Sequence, residues 1–486
     1  AWDGTRWRGE HGMYDAKQRA HDAALAIARE AEALRAYFRF LDGGQYQEEA
    51  QRLGLVPAGW RAQSNNPQGD ILSIVAKEVA GLMKWSVNSG NAARTTSMLA
   101  QAEPALKRDI QEMDAKPYLL NFPNGTLELC PRAGDTPSRV RFRAHDPLDL
   151  LTRCMGAPWD ESLLIDISDG GAGSEWERAV SQILPDDGER RYARRWFGYC
   201  TGGPPHEQAM LIMAGGGSNG KSVVAECVEA ATGDYAMRLP VESLKSDDSR
   251  RGSDARPDLA ELPGRRMVVA SEPEGGMKLD TGQLKQLTER TVLRVRQLHQ
   301  HFISFTPQHR LTLQCNEKPI VKGADGGTWR RLKVLEFKQK WVHAHEMDLP
   351  ENKGAHLRDD TMVPRIIANE LSVVAAWLVA GWLDYAMEGL NEPASVRAET
   401  AEYRSASDPV GNFIKACIMV APGRTITGSE MYSTYKAWCN YNGHEPWSGT
   451  ALGRRLSASL KKKTSGNVQY LDVAWTPGGF AWSEGT

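Results

Sequence analysis

Apolar residues recur every third or fourth position through "DAKQRAHDAALAIAREAEALRAYFRFL", residues 15–41, an Ala-rich run that predicts a long amphipathic helix. Two further helices are predicted at 70–85 and 92–112. The period then breaks at "NFPNGTLEL", whose Asn124-Gly125 suits a hairpin turn. Residues 1–165 therefore read as a mainly helical N-terminal domain. The stretch "DISDGGAGSE" at 166–175 lacks either periodicity and reads as a linker or loop.

From Trp176 onward the pattern changes to short apolar strands separated by helical segments: "AMLIMA", "RMVVAS", "RLTLQCN" and "LKVLEF". Alternating strands and helices predict an α/β sheet. Helices resume over 363–387, and the Pro-containing "NEPASV" follows them. The predicted domains are thus 1–165, 166–390 and 391–486. In the last, three helices ("SDPVGNFIKACI", "SEMYSTYKAWCNYN", "SGTALGRRLSASL") precede a predicted hairpin, "NVQYLDVAWTPGGFAW", a succession that suits a winged-helix-like fold.

The chain has 486 residues, 41% of them hydrophobic and 25% charged, which excludes wholesale disorder and asks for more than one core. A net charge of -2 carries no general basic excess, so any surface for nucleic acid must be local. The seven cysteines (Cys130, Cys154, Cys200, Cys227, Cys315, Cys417, Cys439) form no C-x-x-C pair, which points to a reducing compartment and no structural metal. No unbroken apolar run reaches membrane-spanning length and the N-terminus lacks a signal pattern, so neither secretion nor a membrane partner is expected. Because it starts on Ala1 amid what reads as mid-domain sequence, the chain is expected to be a piece of a longer polypeptide.

Immediately after "AMLIMA" stands "GGGSNGKS": Gly215, Gly216, Gly217, Ser218, Asn219, Gly220, Lys221 and Ser222, followed by the helical "VVAECVEAA". Strand, glycine-rich loop and helix in this order make a phosphate cradle. Backbone N–H groups and a helix N-terminus face the anion, the lysine reaches the outer phosphates, and the Ser222 hydroxyl is placed for Mg2+. ATP and Mg2+ are the expected ligands. The cradle alone does not separate a kinase, a switch or a motor. Downstream, "RMVVASE" ends in Glu272, a carboxylate suited to polarise water or hold the metal, with Glu274 close by. "RLTLQC" ends in Asn316, which would orient the attacking water or simply form a turn. In "TWRRLKVLEF", Arg330 and Arg331 would supply a guanidinium in trans or make surface ion pairs.

The order of "GGGSNGKS", "LPGRRMVVASE", "LDTGQLKQLTERTVLRVRQLHQHFISFTP", "LTLQCNEKP" and "GTWRRLKVLEF" resembles superfamily 3 helicases, and more narrowly the phage, plasmid and large-DNA-virus primase-helicase family. "WDGTRW" and "YLLNFPNGTLEL" resemble the helical domain that precedes the motor in that family. The resemblance implies a P-loop AAA+-like core that forms a homo-oligomeric ring, usually a hexamer. It would hydrolyse ATP between subunits and move 3′-to-5′ on single-stranded or forked DNA in the host-cell cytoplasm. It also implies a primase domain upstream on the same polypeptide. By motif position Arg331 matches the arginine finger, with Arg330 as its neighbour, and the DNA-contacting hairpin maps to residues 285–301, with Lys285, Arg294 and Arg296 facing phosphates. Relatives usually carry Gly-Gly-Asp after "K-x-L-T"; here Glu289-Arg290-Thr291 stands instead.

At the C-terminal end, Arg454, Arg455, Lys461, Lys462 and Lys463 gather at and just beyond the third helix, either to dock on DNA or as a solvated face. Two other readings remain: an ATPase that translocates or packages duplex DNA without parting its strands, and a non-catalytic origin-binding protein gated by nucleotide.

Overall fold

The computed structural model describes every residue except 1, 9–11, 42–44, 107–110, 135, 169–172, 247–254, 272–274, 297–301, 322–324 and 484–486. It divides into two compact units, residues 1–115 with 145–152, and residues 116–144 with 153–486.

The first unit is helical: Gly12–Arg39, Tyr46–Arg52, Pro67–Ser89 and Ala92–Leu106. The third of these begins where the side chain of Asn66 accepts the Gly69 N–H and Pro67 takes the first helical turn, where no N–H is needed. Ala31, Phe38, Tyr46, Ala50, Ile71 and Val75 form its core, which is why the period of three to four is so legible here. The Ser86 hydroxyl donates to Ala24 O at 2.7 Å, joining the two long helices.

The hairpin expected around Asn124 forms, Leu119–Phe122 pairing with Gly125–Cys130, and Arg139–Arg143 adds a third strand. This antiparallel sheet belongs to the second unit and not to the helical one. Leu120, Phe122, Leu127 and Leu129 are buried in the same cluster as Trp176 and Trp196, so hydrophobic burial draws residues 116–144 out of the first unit.

The centre of the second unit is a parallel sheet of β1 (Met210–Ala214), β2 (Ala236–Arg238), β3 (Met267–Ser271), β4 (Arg310–Cys315) and β5 (Leu332–Glu336), in the order β5-β1-β4-β3-β2. Successive residues of β1 enter different cores: Leu211 and Met213 pack with Trp196 and Trp377, Met210 and Ile212 with Leu284 and Trp329. Burial on both faces explains the unbroken apolar run of β1. On the first face, helix Asp187–Tyr199 crosses helix Leu371–Glu388 at Gly198 and Gly381. A Cβ on Gly198 would lie 2.2 Å from the Gly381 carbonyl carbon, so only glycine permits the approach. Leu371–Glu388 is the one helix among the described residues long and apolar enough, by length and composition, to cross a membrane, and half of it is buried inside the fold. Buried Arg310 donates to Gly202 O (3.0 Å) and Gly203 O (2.7 Å), and buried Arg266 to Thr201 O (2.7 Å), satisfying carbonyls just past helix Asp187–Tyr199.

The C-terminal segment runs helix Pro409–Cys417, strand Ile418–Thr427, helices Gly428–Tyr441 and Gly449–Ser457, then strands Lys462–Ser465 and Asn467–Trp475. The strands form an antiparallel sheet with Asn467–Trp475 in the middle. Strand Ile418–Thr427 had no counterpart in the sequence reading. The hairpin turns at Gly466 (φ 80°) and not at Pro477, which starts the short helix Pro477–Ser483.

Candidate functional site

The loop expected to cradle phosphate, residues 215–222, lies where β1 ends and helix Lys221–Thr232 begins. This is the carboxyl edge of a parallel sheet, at the strand where chain connections diverge to either side, the usual ligand position in such sheets. Gly220 (φ 86°) sits with Ile183 so close that a Cβ would lie 2.6 Å from its side chain, which accounts for glycine before the lysine. Gly217 to Ser222 all line one cavity of about 730 Å3, a size suited to a small-molecule ligand. Gly215 and Gly216 lead into it from β1.

Lys221 is only 7% exposed, and burial lowers its pKa from the ordinary lysine value. Its Nζ donates to Gly215 O (2.6 Å), Asn219 Oδ1 (3.0 Å) and Asn316 Oδ1 (3.3 Å). Asn316, 95 residues further along the chain, reaches the lysine because β4 is the immediate neighbour of β1 (Ala214 opposite Cys315). One residue earlier on that strand, Gln314 donates from Nε2 to Lys221 O at 3.0 Å, pinning the first turn of the helix. Asn219 is buried and donates to Phe337 O (3.2 Å), tying the loop to the end of β5. The exposed Ser222 hydroxyl faces the same cavity.

Glu272 and Glu274 lie outside the described residues. Strand β3, which precedes them, ends at Ser271 beside Gln314. Among the described residues no group of three or more His, Cys, Asp or Glu could hold a metal ion. A Mg2+ carried mainly by phosphate oxygens and water needs one or two protein oxygens, and Ser222 fits that demand.

The two arginines part company. Arg331 is 3% exposed, and its guanidinium donates to Thr288 Oγ1 (3.0 Å), Gly327 O (2.8 Å) and Glu289 Oε1 (2.8 Å), all in its own chain. In this chain by itself the donors of Arg331, matched first to the finger position, are engaged internally, and Glu289, the departure from the usual Gly-Gly-Asp, is one of their acceptors. Arg330 is exposed, donates to Gln208 Oε1 (2.5 Å), and lines a surface cavity with Arg290 and His206. Arg290 donates to Pro205 O (3.0 Å).

Lys285 lies on helix Thr281–Thr288 and pairs with Asp325 at 2.8 Å, so it is not part of the hairpin the sequence placed at 285–301. That contact, with the Thr328 N–H, holds the Asp325 carboxyl well below the usual carboxylate range. The hairpin itself pairs Leu293–Arg296 with Phe302–Phe305, and its turn lies outside the described residues. Alternation of two buries Leu293 and Val295 and turns Arg294 and Arg296 outward, where both guanidiniums lie over the Phe302 ring, at 4.4 and 5.4 Å. Phe302 is 46% exposed and was not singled out from the sequence, although Arg-x-Arg facing Phe-x-x-Phe across a turn was a usable signal. In the C-terminal segment Arg454 is exposed, Arg455 pairs with Asp408 (2.8 Å), and Lys461 stands 3.6 Å from Asp472.

Two family profiles match: "D5 N terminal like" over residues 1–185 and "Poxvirus D5 protein-like" over residues 405–478. Both matches are consistent with the primase-helicase family. A protein of Acanthamoeba polyphaga mimivirus described as "Putative helicase" is 29% identical over 348 residues, 69% of this chain and 35% of that protein. An African swine fever virus protein described as "Putative primase" is 25% identical over 385 residues, 76% of this chain and 37% of that one. The chain thus spans about a third of the length of the curated relatives it matches. A solved apo structure of the NrS-1 C terminal region covers 62% of this chain and 75% of its own at 11% identity, with a TM-score of 0.35. The two profiles flank residues 215–222 and match neither that loop nor the parallel sheet around it.

Proposed function

We propose that this chain is the ATP-driven motor of a DNA-replication helicase, with an AAA+-like superfamily 3 core. The observation that carries the reading is the Lys221–Asn316 contact across β1 and β4, which brings together the lysine and the amide that this mechanism needs beside the outermost phosphate. The strand order supports it: the Asn-ended strand lies next to the cradle strand, and the strand leading to Glu272 comes next again. In the mechanism, Gly215 to Ser222 hold the triphosphate of ATP, Lys221 neutralises its outer oxygens and Asn316 orients water. Glu272 accepts the proton of that water, with Glu274 beside it. Mg2+, held by Ser222 with help from Glu272, supplies charge neutralisation when bound. Arg330, exposed where Arg331 is engaged, reaches the neighbouring subunit's nucleotide in a hexameric ring.

Single-stranded DNA, or the displaced strand of a fork, meets the outward face of the hairpin, where Arg294 and Arg296 contact phosphates and Phe302 offers a stacking surface. The C-terminal segment, with its helix–strand–helix–helix–strand–strand order, acts as a winged-helix-like module whose basic edge is Arg454 and Lys461 to Lys463. A primase domain upstream on the same polypeptide is in keeping with the "Putative primase" relative. The test is ATP turnover with and without single-stranded DNA, together with strand displacement on a forked duplex. Wild-type protein is expected to show DNA-stimulated turnover and unwinding, and Lys221→Ala neither. Turnover at the normal rate by Lys221→Ala would refute the assignment.

A further inference from the structure

Between β5 and helix Met362–Asn369 the chain makes an excursion, residues 338–361, pinned by a short parallel pairing of Trp341–Val342 with His356–Leu357. The excursion is tied to the phosphate cradle, because the Trp341 N–H donates to Ser218 O at 2.8 Å. One face of the Trp341 indole is covered by His356, with ring centroids 5.1 Å apart and planes 29° from parallel. The indole also lines the same cavity as Lys221 and Ser222, and Met362, Val363 and Ile367 provide apolar wall there.

Lys221 and the first N–H groups of a helix, which attract anions, line this cavity. So do Asp359, hydrogen-bonded by Arg365 and Thr361, and Asp360, which accepts from Arg358 at 2.6 Å, so each carboxylate of the excursion is balanced by an arginine. With the lysine holding a triphosphate, the excursion is the part of the lining left for the opposite end of the same ligand, a flat heteroaromatic base. A half-buried indole backed by an imidazole is the surface there that a base can stack on.

We propose that Trp341 is the stacking platform for the base of the nucleoside triphosphate, and that the 338–361 strap is what makes this pocket prefer a nucleotide over a bare polyphosphate. The proposal rests on the cradle binding triphosphate as set out above, and deepens it by naming the residue that recognises the base. Because the strap hangs from Ser218 by a main-chain hydrogen bond, base binding and loop geometry are mechanically linked.

The test is calorimetric binding of ATP and of inorganic tripolyphosphate, each with Mg2+, to the full chain and to Trp341→Ala, Trp341→Phe and Lys221→Ala. Wild type is expected to bind ATP at least about 10-fold more tightly than tripolyphosphate, the scale of one base stacked on one ring. Trp341→Ala should lose most of that ratio while keeping its tripolyphosphate affinity, which also reports that the cradle is folded. Trp341→Phe should keep most of the ratio. An unchanged ratio in Trp341→Ala, or an equal loss for both ligands, overturns the proposal. Lys221→Ala separates the two readings: if it weakens both ligands while Trp341→Ala leaves the ratio alone, the cradle stands and only the base platform falls. If Lys221→Ala weakens neither, the cradle reading itself fails.

Discussion

Exchanging Arg331 and Arg330 separately for alanine should produce two different defects. Removing Arg331 deletes three hydrogen bonds from a side chain that is 3% exposed. At about 1 kcal/mol net for each, the loss is about 3 kcal/mol. It falls short of the larger cost of breaking a fully buried ion pair, because Glu289 is 38% exposed and regains water. For a unit of this size that corresponds to a fall in Tm of roughly 4 °C. Arg330→Ala removes an exposed contact to Gln208, and its Tm should stay within about 2 °C of wild type. Turnover should behave the other way. Arg330→Ala is expected to lose about 1,000-fold in ATP hydrolysis, the lower range for a trans-acting guanidinium, whereas Arg331→Ala at a temperature where it is folded should retain a substantial fraction. Thermal unfolding followed by circular dichroism, with a phosphate-release assay on the same samples, measures both. Mixing Arg330→Ala with Lys221→Ala should restore part of the turnover, since some interfaces then combine an intact lysine with an intact arginine. Wild-type turnover by Arg330→Ala, or a turnover loss in Arg331→Ala with no loss of stability, would refute the reasoning.

Asn316→Ala should lower kcat about 100-fold with a smaller change in KM and an unaltered Tm, because the amide contacts Lys221 but supports no buried core; steady-state kinetics measure it. Phe302→Ala should weaken binding of a single-stranded oligonucleotide about 10-fold by fluorescence anisotropy, in salt-matched buffer, while leaving ATP affinity unchanged. Gly198→Ala forces apart helices that touch backbone to backbone and should cost about 1–3 kcal/mol in chemical unfolding. His309 is buried, and burial, with Arg310 adding to it against a Leu287 main-chain contact, drives its pKa down to about 4. The unfolded chain therefore takes up the proton first. Stability should fall as pH drops from about 6.5 to about 4, by at most about 1.4 kcal/mol per pH unit from this one group, and His309→Gln should flatten that part of the stability curve.

The features that sequence alone determined are those whose physics is contiguous along the chain. The strand, glycine-rich loop and helix around "GGGSNGKS" follow one another along the chain and so could be read directly, and the sheet strands declare themselves because both their faces are buried. The long N-terminal helices are legible for the same reason, one face of each being apolar. Tertiary structure decided whatever depends on which distant side chains meet. Two adjacent arginines are identical as letters, and only the fold around Thr288 and Glu289 consumes Arg331 and leaves Arg330 exposed. Lys285 and Arg294 read as one basic stretch, yet a helix end and an ion pair separate them. Part of the wall of the cavity at Lys221 comes from residues more than a hundred positions further along the chain, in a turn-rich segment with no periodicity to betray it, because a cavity is a property of surfaces brought together and not of any one stretch of chain.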